Sequence, residues 1–221
     1  MPWEVNRVKW KEMKELEKEF IKTMRALGKE RGYGHRDQRL FKREGEVFVC
    51  ISYGFIAGMD THNFDYNVYI KNYSYDNIFW KIMNMESNCN EPESLRAVGA
   101  FSAPKIMIAQ EFWMITGNVE YYAEKIFKQA EERKCEFLRK NSVNDYVMQH
   151  DEIIYSSTLK VLAYIDMGME EKAKELAAKE LKAGKSGGFE NEGRDFFDWV
   201  AKKPSVLHKC RVLYWKIRNR I

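Results

Sequence analysis

Hydrophobic residues recur every three or four positions near the start of the chain, and this spacing predicts an amphipathic helix. Lys and Glu fill the positions between them, as in a helix with one buried and one solvent-facing side. Gly28, or the glycines within 31–34, can end it. The apolar stripe consists of Trp10, Met13, Leu16, Phe20, Met24 and Leu27.

After this helix the hydrophobic period changes to two, which is typical of β-strands. This pattern predicts an antiparallel meander of three strands or more, with a hairpin turn at Glu44-Gly45. The predicted strands are 39–43, 46–55 and 64–71. Apolar residues lie on both faces of 46–55, so we expect that strand to be central and covered on both sides.

From about Pro104 onward, helical spacing replaces the strand period. We therefore expect an α+β fold, in which an N-terminal helix with a small antiparallel sheet is followed by an all-helical C-terminal part. The parts 1–102 and 103–221 either form two domains or share one core. A short helix also follows Ser74, a favourable N-cap. The later predicted helices lie near 105–116, 119–139, 152–167, 170–183 and 205–219.

Two junctions in the C-terminal part predict helical hairpins, because an aromatic residue stands four positions before a glycine in each. The first runs from Trp113 to Gly117. The second resembles one unit of a tetratricopeptide-type repeat, a peptide-binding scaffold, although Val161 stands where that pattern has a glycine. The alternative is two unrelated hairpins in one bundle. The resemblance rests on Tyr164, Gly168, Ala173 and Leu181.

Composition excludes disordered and collagen-like classes, because 45% of the 221 residues are hydrophobic and only 13 are glycine. No apolar stretch approaches the roughly 18 residues needed to cross a bilayer, and 1–22 is too charged for a signal peptide. We therefore expect a cytoplasmic protein. The four cysteines form no Cys-x-x-Cys pair, which argues against a zinc knuckle or a dithiol redox site and favours free thiols.

Positive charge is concentrated at the end of the chain. The net charge is +4, yet 202–221 alone carries seven Lys and Arg and no acid, so 1–201 carries −3. The helix predicted near 205–219 has an apolar stripe that begins at Val206. Its cations and aromatics suit nucleic acid, an acidic protein groove or an anionic membrane surface; the alternative is a helix that packs on its own bundle. The candidate binding residues are Lys209, Arg211, Tyr214, Trp215, Lys216 and Arg218.

Motifs for catalysis are sparse. The segment Gly184-Lys185-Ser186 lacks the earlier glycine of a phosphate-binding loop, so it more simply ends a helix. Asp60 and His62 lie in a loop between two predicted strands, where acid–base groups often occur. The acids around Asp195 fit a helix N-terminus better than a metal site. The sequence therefore predicts no cofactor and no metal, and it offers only Asp60 and His62 as catalytic candidates.

One block resembles a segment found in uncharacterised bacterial proteins, in families defined only as domains of unknown function. The block contains 76–80, Asn88, Pro92, 94–96 and 99–104. The resemblance covers about 35–110 and implies a bacterial cytoplasmic setting. It carries no catalytic residues with it.

Three functions follow as hypotheses. The leading one is a non-catalytic binding protein with a protein partner in an aromatic-lined groove between the two halves, since the chain has 6 Trp, 12 Tyr and 13 Phe. The second is nucleic-acid binding through the basic C-terminal helix. The third is an enzyme that uses Asp60 and His62 on a small substrate. A homo-oligomer is a further alternative, because the C-terminal apolar stripe can pack on a second copy of the chain.

Overall fold

A computed structural model describes residues 2–57, 62–115 and 117–202, and the side chains of 11–55, 63–115 and 117–202. The chain groups into two compact units. Unit 1 consists of Met1–Tyr73 and Asn90–Asp145, and unit 2 of Ser74–Cys89 and Tyr146–Ile221. Each unit is assembled from two separate segments of the chain. A division into domains near residue 102 stays a prediction.

Helices and strands come in runs along the described chain, with four strands in succession after the first helix and four helices in succession after the fifth strand. The helices are α1 (Pro2–Glu30), α2 (Ser74–Ile82), α3 (Ser94–Val98), α4 (Val119–Lys140), α5 (Val143–Gln149), α6 (Ser156–Asp166), α7 (Glu170–Lys182) and α8 (Phe196–Lys202), with a 3₁₀ turn at Glu86–Asn90. The strands are β1 (Gly34–Arg36), β2 (Arg39–Glu44), β3 (Val47–Ala57), β4 (His62–Asn72), β5 (Ile106–Met114), β6 (Glu190–Asn191) and β7 (Arg194–Asp195).

Unit 1 is built on an antiparallel sheet of five strands in the order β1-β2-β3-β4-β5. The predicted amphipathic helix is confirmed: Phe20, Met24 and Leu27 of α1 are buried in the main core, together with Ile126 of α4. The hairpin between β2 and β3 is confirmed too, with Glu44 paired to Val47. One face of the sheet is therefore covered by α1 and α4.

The other face of β3 is also apolar at one end, as the pattern in 46–55 predicts. Phe48 and Cys50 are fully buried there in a second, smaller cluster with Phe41 and Ala97. Farther along, the same face carries Ser52 and Gly54. This face is thus apolar at one end and polar at the other.

The predicted fold class is wrong in its second half. The segment predicted as a helix at 105–116 forms strand β5, which adds antiparallel to β4. The prediction of an all-helical C-terminal part fails there and again at the small β6–β7 hairpin. Apolar residues at 108, 112 and 115 fit a helical stripe, but pairing with β4, which lies far away in the sequence, decides the conformation. The predicted hairpin around Trp113 is wrong for the same reason.

Unit 2 contains the second predicted hairpin, which is confirmed as α6 and α7 joined through Gly168 at φ +76°. Its core includes the stacked rings of Phe79 and Phe196, 5.4 Å apart. Asp195 accepts a hydrogen bond from the backbone N–H of Phe197 at 2.9 Å. It therefore caps α8, as the acids before that helix predict. The helix predicted at 205–219 lies outside the described residues.

Candidate functional site

Strand β5 forms one edge of the sheet in unit 1, with β4 on its inner side. No other strand of the described chain pairs with its outer side. The edge is nine residues long and contains neither proline nor a cation, the residues that commonly protect an edge from pairing. The outward backbone N–H and C=O groups of β5 therefore present a template for a further strand.

Three large apolar side chains project from one face of this edge strand. Met107 is 46% exposed, Phe112 60% and Met114 54%. We call these three residues the edge stripe. Exposed apolar side chains are ordinary when scattered, but here Phe112 and Met114 are neighbours on one face, and Met107 lies farther along that face beyond the exposed Gln110. An apolar surface of this kind on an edge strand is suited to binding.

A β-bulge brings the members of the edge stripe together. Met107 and Phe112 are five residues apart, an odd spacing that places side chains on opposite faces of a regular strand. The register shifts between Val68 and Tyr69 of β4, so that Met107 lies opposite Tyr69 and Phe112 lies opposite Asp65. The bulge thereby restores Met107 to the face of Phe112.

The covered face of β5 is anchored by a polar and aromatic network. The ring of Trp113 lies 5.0 Å from that of Tyr66, and its Nε1 donates to Glu111 Oε2 at 3.0 Å. Tyr66 donates its hydroxyl to Gln129 Oε1 at 2.7 Å, and Lys125 Nζ lies 4.3 Å above the Trp113 ring. Burial and the Glu111 carboxylate both raise the pKa of Tyr66, so its hydroxyl stays a donor at neutral pH.

This network fixes the direction in which the edge stripe points. Side chains alternate along a strand, so holding Glu111 and Trp113 against α4 turns Phe112 and Met114 to the opposite face. A binding surface held in place by its supporting contacts loses little conformational entropy when a partner binds.

Beside the edge stripe, β4 offers an unused hydrogen-bond acceptor. Asn67 is 9% exposed and donates through Nδ2 to Asp65 Oδ2 at 3.3 Å. Its Oδ1 is buried and accepts no hydrogen bond from the described residues. Tyr69 follows on the same face, and its burial raises the pKa of the phenol. The open face thus combines apolar side chains with a polar atom that lacks a partner.

The residues predicted for function from sequence do not lie in this site. Asp60 is outside the described residues, and His62 begins β4 with a side chain that is not described. The C-terminal candidates Lys209, Arg211, Tyr214, Trp215, Lys216 and Arg218 are also outside the described residues. These roles stay predictions.

The sequence does not reveal the edge stripe, because the apolar spacing of 105–116 predicts a helix rather than a strand. A signal for a strand was present: β-branched Ile106 and Ile108 and aromatic Phe112 and Trp113 are frequent in strands. Asn118, whose side chain accepts from the backbone N–H of Tyr121 at 3.0 Å, marks the true helix start.

The cysteines within the described segments are free, as the sequence predicts. Burial raises the pKa of the Cys50 thiol, which disfavours the reactive thiolate. No group of three or more His, Cys, Asp or Glu side chains in the described residues is placed to hold a metal ion.

No helix in the described part of the chain has both the length and the apolar character needed to cross a membrane. No family model, curated protein or solved structure matches this chain.

Proposed function

We propose that the chain is a non-catalytic protein-binding module, and that its partner contributes an extended segment which adds to the sheet beside β5. The observation that carries the proposal is the unpaired β5 edge with Met107, Phe112 and Met114 exposed on one face. Main-chain hydrogen bonds along the edge supply affinity, and side-chain contacts with the edge stripe supply specificity.

The backbone of β5 selects an extended partner over a helical one. The N–H and C=O groups of a helix are already bonded within the helix, so they cannot pair with a strand edge. An added strand bonds to the edge and lies ~4.8 Å from β5. The side chains of the added strand then lie beside those of Phe112 and Met114. We therefore expect a partner segment with apolar residues at alternate positions on one face.

Free thiols on the described residues Cys50, Cys89 and Cys135 support a reducing compartment. A cytoplasmic location, and with it a cytoplasmic partner, is accordingly part of the proposal.

Replacement of Phe112 by alanine should weaken partner binding strongly. Buried aromatic anchors at interfaces are worth about 2 kcal/mol or more, equivalent to roughly 30-fold in Kd. A displayed library of random peptides, selected on the intact protein, supplies the probe. We expect the selected peptides to share alternating apolar residues. Fluorescence anisotropy then gives the Kd of one such peptide for the wild type and for Phe112→Ala.

Ile154→Ala is the matched control, because Ile154 is a large apolar residue that is 75% exposed and lies in unit 2. It should leave the Kd unchanged. The proposal is contradicted if no peptide is selected, or if Phe112→Ala and Met114→Ala bind the peptide as tightly as the wild type. Light scattering that shows a dimer, dissociated by Phe112→Ala, would assign the edge to a second copy and overturn the proposed partner.

A further inference from the structure

Helix α4 borders the outer edge of β5 on the face opposite to the edge stripe. On that face α1 packs against β1, at the far end of the sheet from β5, and α4 packs against β4 and β5. Arg31, which follows α1, pairs with Glu124 of α4 at 2.7 Å, so one side of α4 is turned toward α1. The opposite side of α4 is therefore turned toward the outer edge of β5.

Three side chains on this outer side of α4 lie over β5. They are spaced three and four residues apart and so share one side of the helix. The ring of Tyr122 lies 6.2 Å from that of Trp113, and Lys125 Nζ lies 4.3 Å from the same ring. Gln129 donates to Glu111 Oε1 at 3.4 Å. A strand added beside β5 therefore places alternate side chains next to Trp113 and Glu111, beneath these three residues.

Lys125 is a cation without a carboxylate partner at this edge. In the described part of the chain its amino group contacts the Trp113 ring and forms no ion pair. Its neighbours Lys128 and Arg133 each pair with a glutamate of the same helix, at 4.0 and 3.4 Å. The Lys125 side chain is half-buried, and its contact with the ring holds the ammonium group near the edge. Its charge is thus available to an incoming anion.

Glu111 gives the adjacent position the opposite character. Its Oε2 accepts from Trp113 Nε1 at 3.0 Å, and its Oε1 accepts from Gln129. Both carboxylate oxygens therefore have donors within the protein. The negative charge of Glu111 repels an acidic side chain placed directly beside it on a paired strand. The edge thus favours an acid beside Trp113 and disfavours one beside Glu111.

We propose that the partner segment is an acidic and apolar strand, with an aspartate or glutamate beside Trp113 that pairs with Lys125. The inference rests on the proposed addition of a strand to β5 and names the chemistry of the second face of that strand. Side chains alternate between faces, so the apolar residues of the partner meet the edge stripe while its acid faces α4. Because the acid is attracted at one position and repelled at the next on the same face, it also selects the register of the added strand.

Substitution in the peptide tests this pairing without altering the protein. Peptides selected from the displayed library are resynthesised with Glu, Gln or Lys at each position on the face opposite to their apolar residues. We expect one position at which Glu binds about fivefold more tightly than Gln, the factor typical of a partly exposed ion pair, and at which Lys binds more weakly than Gln. Fluorescence anisotropy gives the Kd of each peptide.

The peptide series separates this inference from the proposed function. If no position prefers Glu to Gln while Phe112→Ala still weakens binding, strand addition stands and the acidic second face is wrong. If the library yields no binding peptide, both proposals are contradicted.

Variants of the protein assign the preference to Lys125. In Lys125→Gln the Glu and Gln peptides should bind alike, and in Lys125→Glu the Lys peptide should bind more tightly than the Glu peptide. Lys22→Gln, on the exposed side of α1, is the matched control because it changes the net charge of the protein by the same amount. It should leave the preference intact. A preference for Glu that persists in Lys125→Gln, or that disappears equally in Lys22→Gln, contradicts the pairing.

Discussion

Replacement of Phe20 by alanine should lower the free energy of unfolding by about 3–5 kcal/mol, the usual cost of deleting a buried phenyl ring. Phe20 has no exposed surface, and its ring centroid lies 4.5 Å from that of Phe64 and 5.6 Å from that of Phe55. It is a principal contact between α1 and the central strands. Its removal leaves a cavity that neighbouring rigid rings fill poorly.

Urea unfolding followed by circular dichroism measures this loss. Phe20→Leu keeps most of the apolar volume and should lose clearly less than Phe20→Ala. Lys22→Ala on the exposed side of α1 should change the unfolding free energy by no more than about 0.5 kcal/mol. If Phe20→Ala and Lys22→Ala unfold at the same urea concentration, α1 does not pack on the sheet as described.

Replacement of Lys134 by alanine should destabilise the protein by about 2–3 kcal/mol. The Lys134 side chain is 8% exposed, and its Nζ lies 2.5 Å from Glu44 and 2.6 Å from Glu131. Removing one member of a buried pair typically costs about 3–5 kcal/mol because the opposite charge stays uncompensated. The two carboxylates here are 30% and 44% exposed, and their partial hydration reduces the cost.

Lys140→Ala is the control on the same helix. Lys140 also pairs with a glutamate, Glu136, at 2.8 Å, but its side chain is 58% exposed. Exposed pairs contribute little, so we expect a change below about 1 kcal/mol. Equal losses in the two variants, measured by urea unfolding, would show that burial of Lys134 has no energetic importance.

The stabilisation from Lys134 should also depend on pH. Burial disfavours the Glu44 carboxylate, but hydrogen bonds from Lys134 and Lys42 outweigh it and hold the pKa of Glu44 below its ordinary value of 4.5. A lowered carboxyl pKa stabilises the fold above 4.5, and that stabilisation disappears as the pH falls through the folded-state value. The difference between wild type and Lys134→Met should therefore be constant near neutral pH and shrink in acid.

Local periodicity was sufficient to predict α1, the β2–β3 hairpin, α4 and the α6–α7 hairpin. In each of these the apolar pattern and the capping or turn residues lie within one short segment of the chain, even though α1 and α4 pack on each other from distant parts of the sequence. Strand β5 differs, because its partner β4 lies more than thirty residues earlier and α2 and α3 come between them. The local spacing of apolar residues fits a helix, and it carries no information about a strand partner so far away in the sequence.

The proposed binding site was hidden from the sequence for a related reason. The edge stripe depends on the bulge opposite Val68 and Tyr69, which alters which residues of β5 share a face. Its surface therefore comes from the tertiary pairing of ordinary residues, and no local motif marks it.

Backbone amide exchange of β5 tests the strand-addition proposal most directly. Hydrogen–deuterium exchange over Ile106–Met114 is compared for the free protein and for its complex with a selected peptide. If a strand adds to the edge, the outward amides of β5 gain hydrogen bonds, and exchange there slows on binding. Unchanged exchange in β5, with new protection in α6, α7 or another part of the described chain, would contradict the proposed function.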